Sequence, residues 1–246
     1  MGDHSFYEPF AEFCKRDNYD DVFRDALENV AANVDFSLVK SCVAFGPGGG
    51  EQEMKFIRRL MPNLRSFIAV EEDEESVKAL RASFEKGMLP GVETSVVDAT
   101  VQSWGGDNNQ VDAALLFSVL CHINTPDRKD LFRQLAKHVS PGGLVAINEN
   151  HAVPNGYVAL LNRLGATRVD YDEVEKDMEE AGFRVLFKQD FTLQRDLSNP
   201  NAGVVQYIQI CSFFKFSDAE VRAAIEDIYR QPEMRISRKK LAIFTK

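Results

Sequence analysis

The sequence predicts an α/β fold built on a parallel sheet, and three features carry that prediction. From Ser41 onward, short apolar runs alternate with amphipathic helical stretches, the pattern of strands buried on both faces under packed helices. The first run, Ser41-Cys42-Val43-Ala44-Phe45, ends in Gly46-Pro47-Gly48-Gly49-Gly50, and a helical stretch opens at Glu51. The second, Phe67-Ile68-Ala69-Val70, ends on Glu71. Strand, glycine turn and helix form the layout of a nucleotide-type cofactor site, because a backbone without Cβ atoms turns tightly and approaches a ligand closely. An acid about 20 residues beyond such a turn stands where a cofactor ribose hydroxyl is bound.

Each element can be argued in order. Residues before about 35 read as helical, with Phe6, Phe10 and Phe13, then Val22, Phe23, Leu27 and Val30, at helical spacing. Strands are expected at 42–45, Ser66–Glu71, Glu93–Asp98, 112–117 and 144–148, with helices at Glu51–Leu60, Glu74–Glu85 and 127–138. Asp73 is placed to cap the second of these helices. Ser140-Pro141-Gly142-Gly143 reads as a helix stop and turn. Further on, a helix is expected over 171–181, stopped by Gly182, and a strand over 183–187. The stretch 190–201, with Ser198-Asn199-Pro200-Asn201, reads as a loop. Val204, Tyr207, Ile208 and Cys211 give helical spacing, and another helix runs from Ser217 to about Arg230, stopped by Pro232. A last strand falls at 241–244, and Arg235, Arg238, Lys239 and Lys240 read as a solvated turn before it. With no repeat, low-complexity stretch or linker, residues 1–246 read as one domain.

The net charge of −9 and pI near 5.1 argue against a nucleic-acid or anionic-membrane partner, which calls for a basic stripe, and they permit a small cationic substrate. Cys14, Cys42, Cys121 and Cys211 are scattered, which reads as reduced thiols in a cytoplasmic protein. No run is long enough to span a bilayer, and the start lacks the pattern of a secretion signal. The glycine turn lacks the Lys-Ser/Thr of a triphosphate loop. No Gly-x-Ser-x-Gly elbow and no metal-ligand spacing appear, so no metal is expected.

Gly46, Gly48 and Gly50, separated by single residues, do not match the dinucleotide fingerprint. This spacing resembles the first motif of the class I S-adenosylmethionine-dependent methyltransferases. Glu71 is similar to that family's acid at the end of strand two, which binds the ribose hydroxyls. Asp98, in Val96-Val97-Asp98-Ala99, resembles the adenine-contacting position. Phe117-Ser118-Val119-Leu120-Cys121-His122 resembles the segment that lines the methionine end and the transfer centre, and Ser140-Pro141-Gly142-Gly143-Leu144 the turn after the following helix. Many members carry an acid two residues before the first glycine, where this chain has Ala44. Within the family the chain most resembles histamine N-methyltransferase and its relatives, through Asp3-His4 with Tyr7, Phe10 and Phe13, through Val70-Glu71 and through Phe191–Ser198. In place of that group's substrate glutamate stands Tyr19, with Asp17 or Asp20 to substitute, and its glutamine and paired tyrosines after strand four become Ser118, Cys121 and His122.

The resemblance implies a doubly wound, seven-stranded, mostly parallel sheet with an amino-terminal helical lid over 1–40, a cofactor-binding core over 41–150, and substrate-side and last sheet elements over 151–246. It implies S-adenosyl-L-methionine held by Gly46, Pro47, Gly48, Gly50, Glu71, Glu72, Val97, Asp98, Ala99 and Ser118. The acceptor, expected to be a small cationic amine or an imidazole nitrogen, would lie against Tyr7, Phe10, Tyr19, Cys121, His122 and His151. His122 is the candidate proton acceptor, since an imidazole titrates near neutral pH. An oxygen or carboxyl acceptor, or a binding module without turnover, are the alternatives on the same fold.

Overall fold

The computed structural model describes residues 7–105, 110–150, 156–165, 169–212 and 214–246. Two helices, α1 (Tyr7–Cys14) and α2 (Tyr19–Asn33), precede the first strand. Then come β1 (Ser41–Phe45), α3 (Glu51–Leu60), β2 (Ser66–Glu71), α4 (Glu74–Glu85), β3 (Glu93–Asp98), β4 (Val111–Phe117), a 3-10 turn at Leu120–His122, α5 (Thr125–His138) and β5 (Val139–Asn150). The chain continues through α6 (Gly156–Arg163), α7 (Tyr171–Glu180), β6 (Arg184–Gln194), α8 (Ala202–Cys211), α9 (Asp218–Tyr229), a 3-10 turn at Pro232–Arg235 and β7 (Ile236–Thr245). Asp73 caps α4 by accepting the Ser76 N–H, as its sequence position predicts.

The strands form one seven-stranded sheet in the order β3-β2-β1-β4-β5-β7-β6. β1 to β5 pair in parallel, and β7 runs antiparallel between β5 and β6. Strand order reverses between β1 and β4, and open α/β sheets place their ligands at such a switch, beyond the carboxyl ends of the strands. One apolar core lies between the sheet and α2 and α3, around Phe23, Phe56 and Phe117. The opposite face packs on α5 and α7 through Phe45, Phe132 and Met178. A third core, away from the sheet, joins α1, α6, α8 and α9 around Phe13, Tyr157 and Tyr207. α2 is therefore a structural layer of the sheet, and Phe13 on α1 is core at 2% exposure.

Four expectations need correction. β6 runs on to Gln194 where a loop was expected from 190. Phe191, Leu193 and Arg195 point inward and Thr192, Gln194 and Asp196 outward, a period-2 signal hidden by the polar Ser-Asn-Pro cluster after it. Ser140–Gly143 does follow the end of α5, but it bulges within β5: Val139 pairs with Val111, and the next pair is Leu144 with Ala113. β7 starts at Ile236, so Arg238, Lys239 and Lys240 lie on a strand and only Arg235 in the turn before it, and Lys239 is buried. α6 has no counterpart among the expected elements.

α9 opens with a capping box, in which the Ser217 hydroxyl accepts from the Glu220 N–H and the Glu220 carboxylate accepts from the Ser217 N–H. Ser217→Ala removes one half of it. We expect a loss of about 1 kcal/mol of stability, read as a lower urea midpoint at unchanged slope.

Candidate active site

The three alternating glycines of the turn have different surroundings. A Cβ on Gly46 would meet Val119 Cγ2 at 2.6 Å, and one on Gly50 would meet Leu80 Cδ2 at 2.8 Å, so these two let the turn pack against β4 and α4. Gly48, with φ +57°, has nothing within 4 Å of where its Cβ would stand. It opens onto empty space although the residue itself is buried. The turn is tied to β2 twice: Gly46 N–H donates to the Val70 carbonyl at 2.8 Å, and Gly48 N–H donates to Glu71 Oε2 at 2.8 Å.

Glu71 is 7% exposed, and burial raises its pKa against three opposing backbone bonds. Its Oε1 accepts from the N–H groups of Glu72 at 2.9 Å and Asp73 at 3.0 Å. A carboxylate has about four acceptor positions, so one remains for a ligand hydroxyl, on the oxygen that also holds Gly48. Pro47 is buried in the turn and Glu72 is exposed beside it. Asp98 ends β3 in register with Glu71; it is exposed, Val97 is half-buried, and Ala99 N–H donates to the Glu71 carbonyl at 3.1 Å. These residues lie along one edge of the sheet, with room over Gly48 beside a carboxylate that can accept from one more hydroxyl.

The segment after β4 borders this edge. Ser118 takes φ +57°, a strained conformation for a side chain other than glycine, and its N–H donates to the Asn148 carbonyl at 2.7 Å. Its hydroxyl accepts from Lys239 Nζ at 2.7 Å. Lys239 was not anticipated: it is 3% exposed, and its Nζ lies 5.1 Å from the centre of the Tyr19 ring. The Tyr19 hydroxyl donates to Gln52 Oε1 at 2.9 Å and accepts from Asn148 Nδ2 at 2.6 Å. Cys121 Sγ lies 3.4 Å from the Ser118 carbonyl, and burial pushes its thiol pKa up. His122 keeps an exposed surface while the protein around it lowers its imidazole pKa by desolvation.

Two buried carboxyls nearby were also missed. Glu149 is fully buried on β5; its Oε1 accepts the Leu120 N–H at 2.7 Å, and burial pushes its pKa up to about 7 although Lys239 pulls it down. Glu53 on α3 is pushed up to about 8, again by burial. Asp17, a proposed substitute for a substrate acid, is taken by Arg195: Nε donates to Oδ2 at 3.0 Å, both side chains are at most 4% exposed, and the guanidinium lies between the rings of Phe13 and Tyr157. Asp20 pairs with Lys55 near the surface. Phe10 packs on Tyr207, whose hydroxyl is near that of Tyr157, and Cys121 lies within electrostatic reach of both tyrosines. Tyr7 opens α1, His138 packs against Trp104, and His151 lies outside the described residues.

Residues 43–143 match the family model of a methyltransferase domain. The match spans β1 through the bulge in β5, the stretch that carries the turn, Glu71, Asp98 and Ser118. No curated protein sequence matches the chain. Among solved structures, the [4+2]-cyclase SpnF is similar at 17% identity and TM-score 0.60, over 91% of this chain and 81% of that one. The cyclopropane synthase MmaA2 from Mycobacterium tuberculosis is similar at 12% identity and TM-score 0.61, over 90% and 83%. Geranyl diphosphate methyltransferase, solved in complex with SAM, is similar at 14% identity and TM-score 0.55, over 89% and 83%. The fold is the Rossmann-like fold of class I methyltransferases, and the domain match supports S-adenosyl-L-methionine as the cofactor. Among the described residues no helix is long and apolar enough to cross a membrane, and no group of three or more His, Cys, Asp or Glu is placed to hold a metal ion.

The raised carboxyls fix a pH dependence. A carboxyl with a higher pKa folded than unfolded contributes stability that is fully present below its unfolded value near 4.5 and is lost as pH rises through the folded value, about 8 for Glu53 and about 7 for Glu149. Stability should therefore fall between pH 5 and 8, by up to about 1.4 kcal/mol per pH unit for each group. Glu53→Gln should flatten this fall and leave the variant more stable than the parent at pH 8, as read by urea unfolding at both ends of the window.

Proposed function

We propose that the protein transfers a methyl group from S-adenosyl-L-methionine to a nitrogen, amine or imidazole, of a small molecule, with residues 1–246 acting as one domain. The observation that carries this reading is the open space over Gly48 beside the Glu71 carboxylate, at the switch point of the sheet. When bound, the cofactor supplies a sulfonium methyl group, an electrophile that depends more on an aligned nucleophile than on a strong base. Gly46, Pro47, Gly48 and Gly50 bring backbone close to it, and Glu71, with Glu72 beside it, accepts from the ribose hydroxyls. Val97, Asp98 and Ala99 border the adenine, and Ser118 borders the methionine end. Ala44 offers no acid to the amino group.

The acceptor lies against Tyr19, Cys121 and His122, with Tyr7 and Phe10 of α1 closing the far side as a lid and His151 as a further candidate contact. Held neutral by desolvation, the His122 imidazole takes the proton that an ammonium acceptor must lose before it can attack. Tyr19 cannot serve as base, since burial raises its hydroxyl pKa well above the ordinary value.

Calorimetric titration with S-adenosylmethionine and S-adenosylhomocysteine tests the cofactor assignment. We expect saturable binding that Glu71→Ala weakens by about 10- to 100-fold, the range for bonds to a charged acceptor; no binding by the intact protein would sink the reading. His122→Ala should lower kcat by about 100-fold or more and abolish the acid limb of the rate profile, which belongs below the ordinary imidazole range. An unchanged profile would give the proton to solvent.

A further inference from the structure

Lys239 lies on the inward face of β7. It faces Asn150 on β5 and Phe191 on β6 across the strand pairs, and it is 3% exposed. An ammonium has three N–H donors, and the described structure gives this one a single hydrogen bond, to Ser118 Oγ. Of the acids whose charge reaches it, Asp17 is committed to Arg195, and Glu149, the stronger influence, is beyond ion-pair distance and accepts the Leu120 N–H. No carboxylate among the described residues lies within ion-pair distance of Lys239 Nζ. A buried cation in that condition is costly unless an anion joins it.

Other groups on the same face also have unused capacity. Cross-strand neighbours share a face, which puts Asn148, Asn150 and Lys239 together with the inward residues of β6 and with Arg195 beyond its end. Arg195 uses Nε and Nη2 on Asp17 and leaves Nη1 buried without a partner. Asn148 Oδ1 and Asn150 Oδ1 are buried acceptors without a donor among the described residues. Unused donors beside unused acceptors, next to the strained Ser118, match a ligand that carries both a negative group and N–H donors. A simple cationic amine would meet Lys239 as a like charge, and a simple anion would leave the carboxamide oxygens empty.

We infer that the methyl acceptor is a small zwitterion of amino-acid type, with its carboxylate on Lys239 Nζ and its nitrogen against the side-chain oxygens of Asn148 and Asn150. This rests on the methyl-transfer reading above. The acceptor ammonium gives a proton to His122, the freed lone pair forms the new N–C bond, and the methyl carbon leaves its sulfur, which keeps the bonding electron pair. Lys239 acts as a specificity residue in this scheme and takes no part in the bond changes.

The experiment uses methyl-labelled S-adenosylmethionine and acceptors in pairs that differ by one carboxylate: L-histidine and histamine, glycine and methylamine, β-alanine and ethylamine. Cofactor affinity is measured first by titration, so that failure of the methyltransferase reading shows before any acceptor is added and sinks both proposals. Given binding, we expect at least one carboxylate-bearing member to exceed its partner in kcat/KM by about 100-fold, the weight of a charge-assisted contact at a buried site. Lys239→Met should raise the KM of that acceptor by about 10- to 100-fold and erase the preference, with a smaller change in kcat. Lys239→Arg should restore part of the preference. Preference for the plain amines overturns the inference. So does a cofactor-binding protein that methylates no carboxylate-bearing member, or a Lys239→Met variant that keeps the preference.

Discussion

The Glu71 carboxylate joins the end of β2 to the turn after β1, and the cofactor edge takes its shape from that junction. A buried carboxylate needs donors, and the donors here are three backbone N–H groups, two from its own strand end and one from Gly48. Satisfying it fixes the path of the glycine turn and the direction in which the chain leaves β2. Asp73, one of those donors, then caps α4, whose Leu80 closes against Gly50. Strand end, turn and helix start are thus one mutually dependent unit, which explains why small residues recur there and why the acid cannot be exchanged for an amide without leaving a donor unmatched.

The other half of the cleft is built on a different principle. Around Ser118 the side chains come from α2, β4, β5, β6 and β7, and many of their polar atoms are only partly satisfied. Folded proteins leave such groups unmatched at sites where a ligand completes them. A [4+2]-cyclase and a cyclopropane synthase have similar folds, at TM-scores of 0.60 and 0.61. The scaffold admits more than one reaction, so the identity of the acceptor has to be read from side chains such as Lys239.

The two halves also differ in how far the sequence discloses them. The turn, Glu71, Asp98 and Ser118 lie at strand ends that apolar periodicity marks clearly, and local spacing places them on one edge. Lys239 and Arg195 look like solvent residues because basic side chains usually are. Only the strand pairing of β7 with β5 and β6 turns them inward, and no local window contains that information. Glu149 shows the intermediate case: it follows directly on the strand expected over 144–148, but its burial and its bond to Leu120 N–H depend on another segment. Phe13 was legible as a helical residue of core or lid, but its partners Tyr157 and Tyr207 are more than a hundred residues away in the chain and no local window shows them.

The antiparallel placement of β7 has a consequence for how the chain is made. β6 is synthesised before its only strand partner, and β5 before the neighbour that covers its outer side. Until residues 236–245 emerge, both strands present open backbone edges, and the β6 edge carries the exposed hydrophobic Leu186. Pairing at such long sequence separation is slow, so a ribosome that pauses or stops ahead of Ile236 leaves a nascent chain with a nearly complete cofactor half and two unprotected strands. Such a chain calls for chaperone cover during translation.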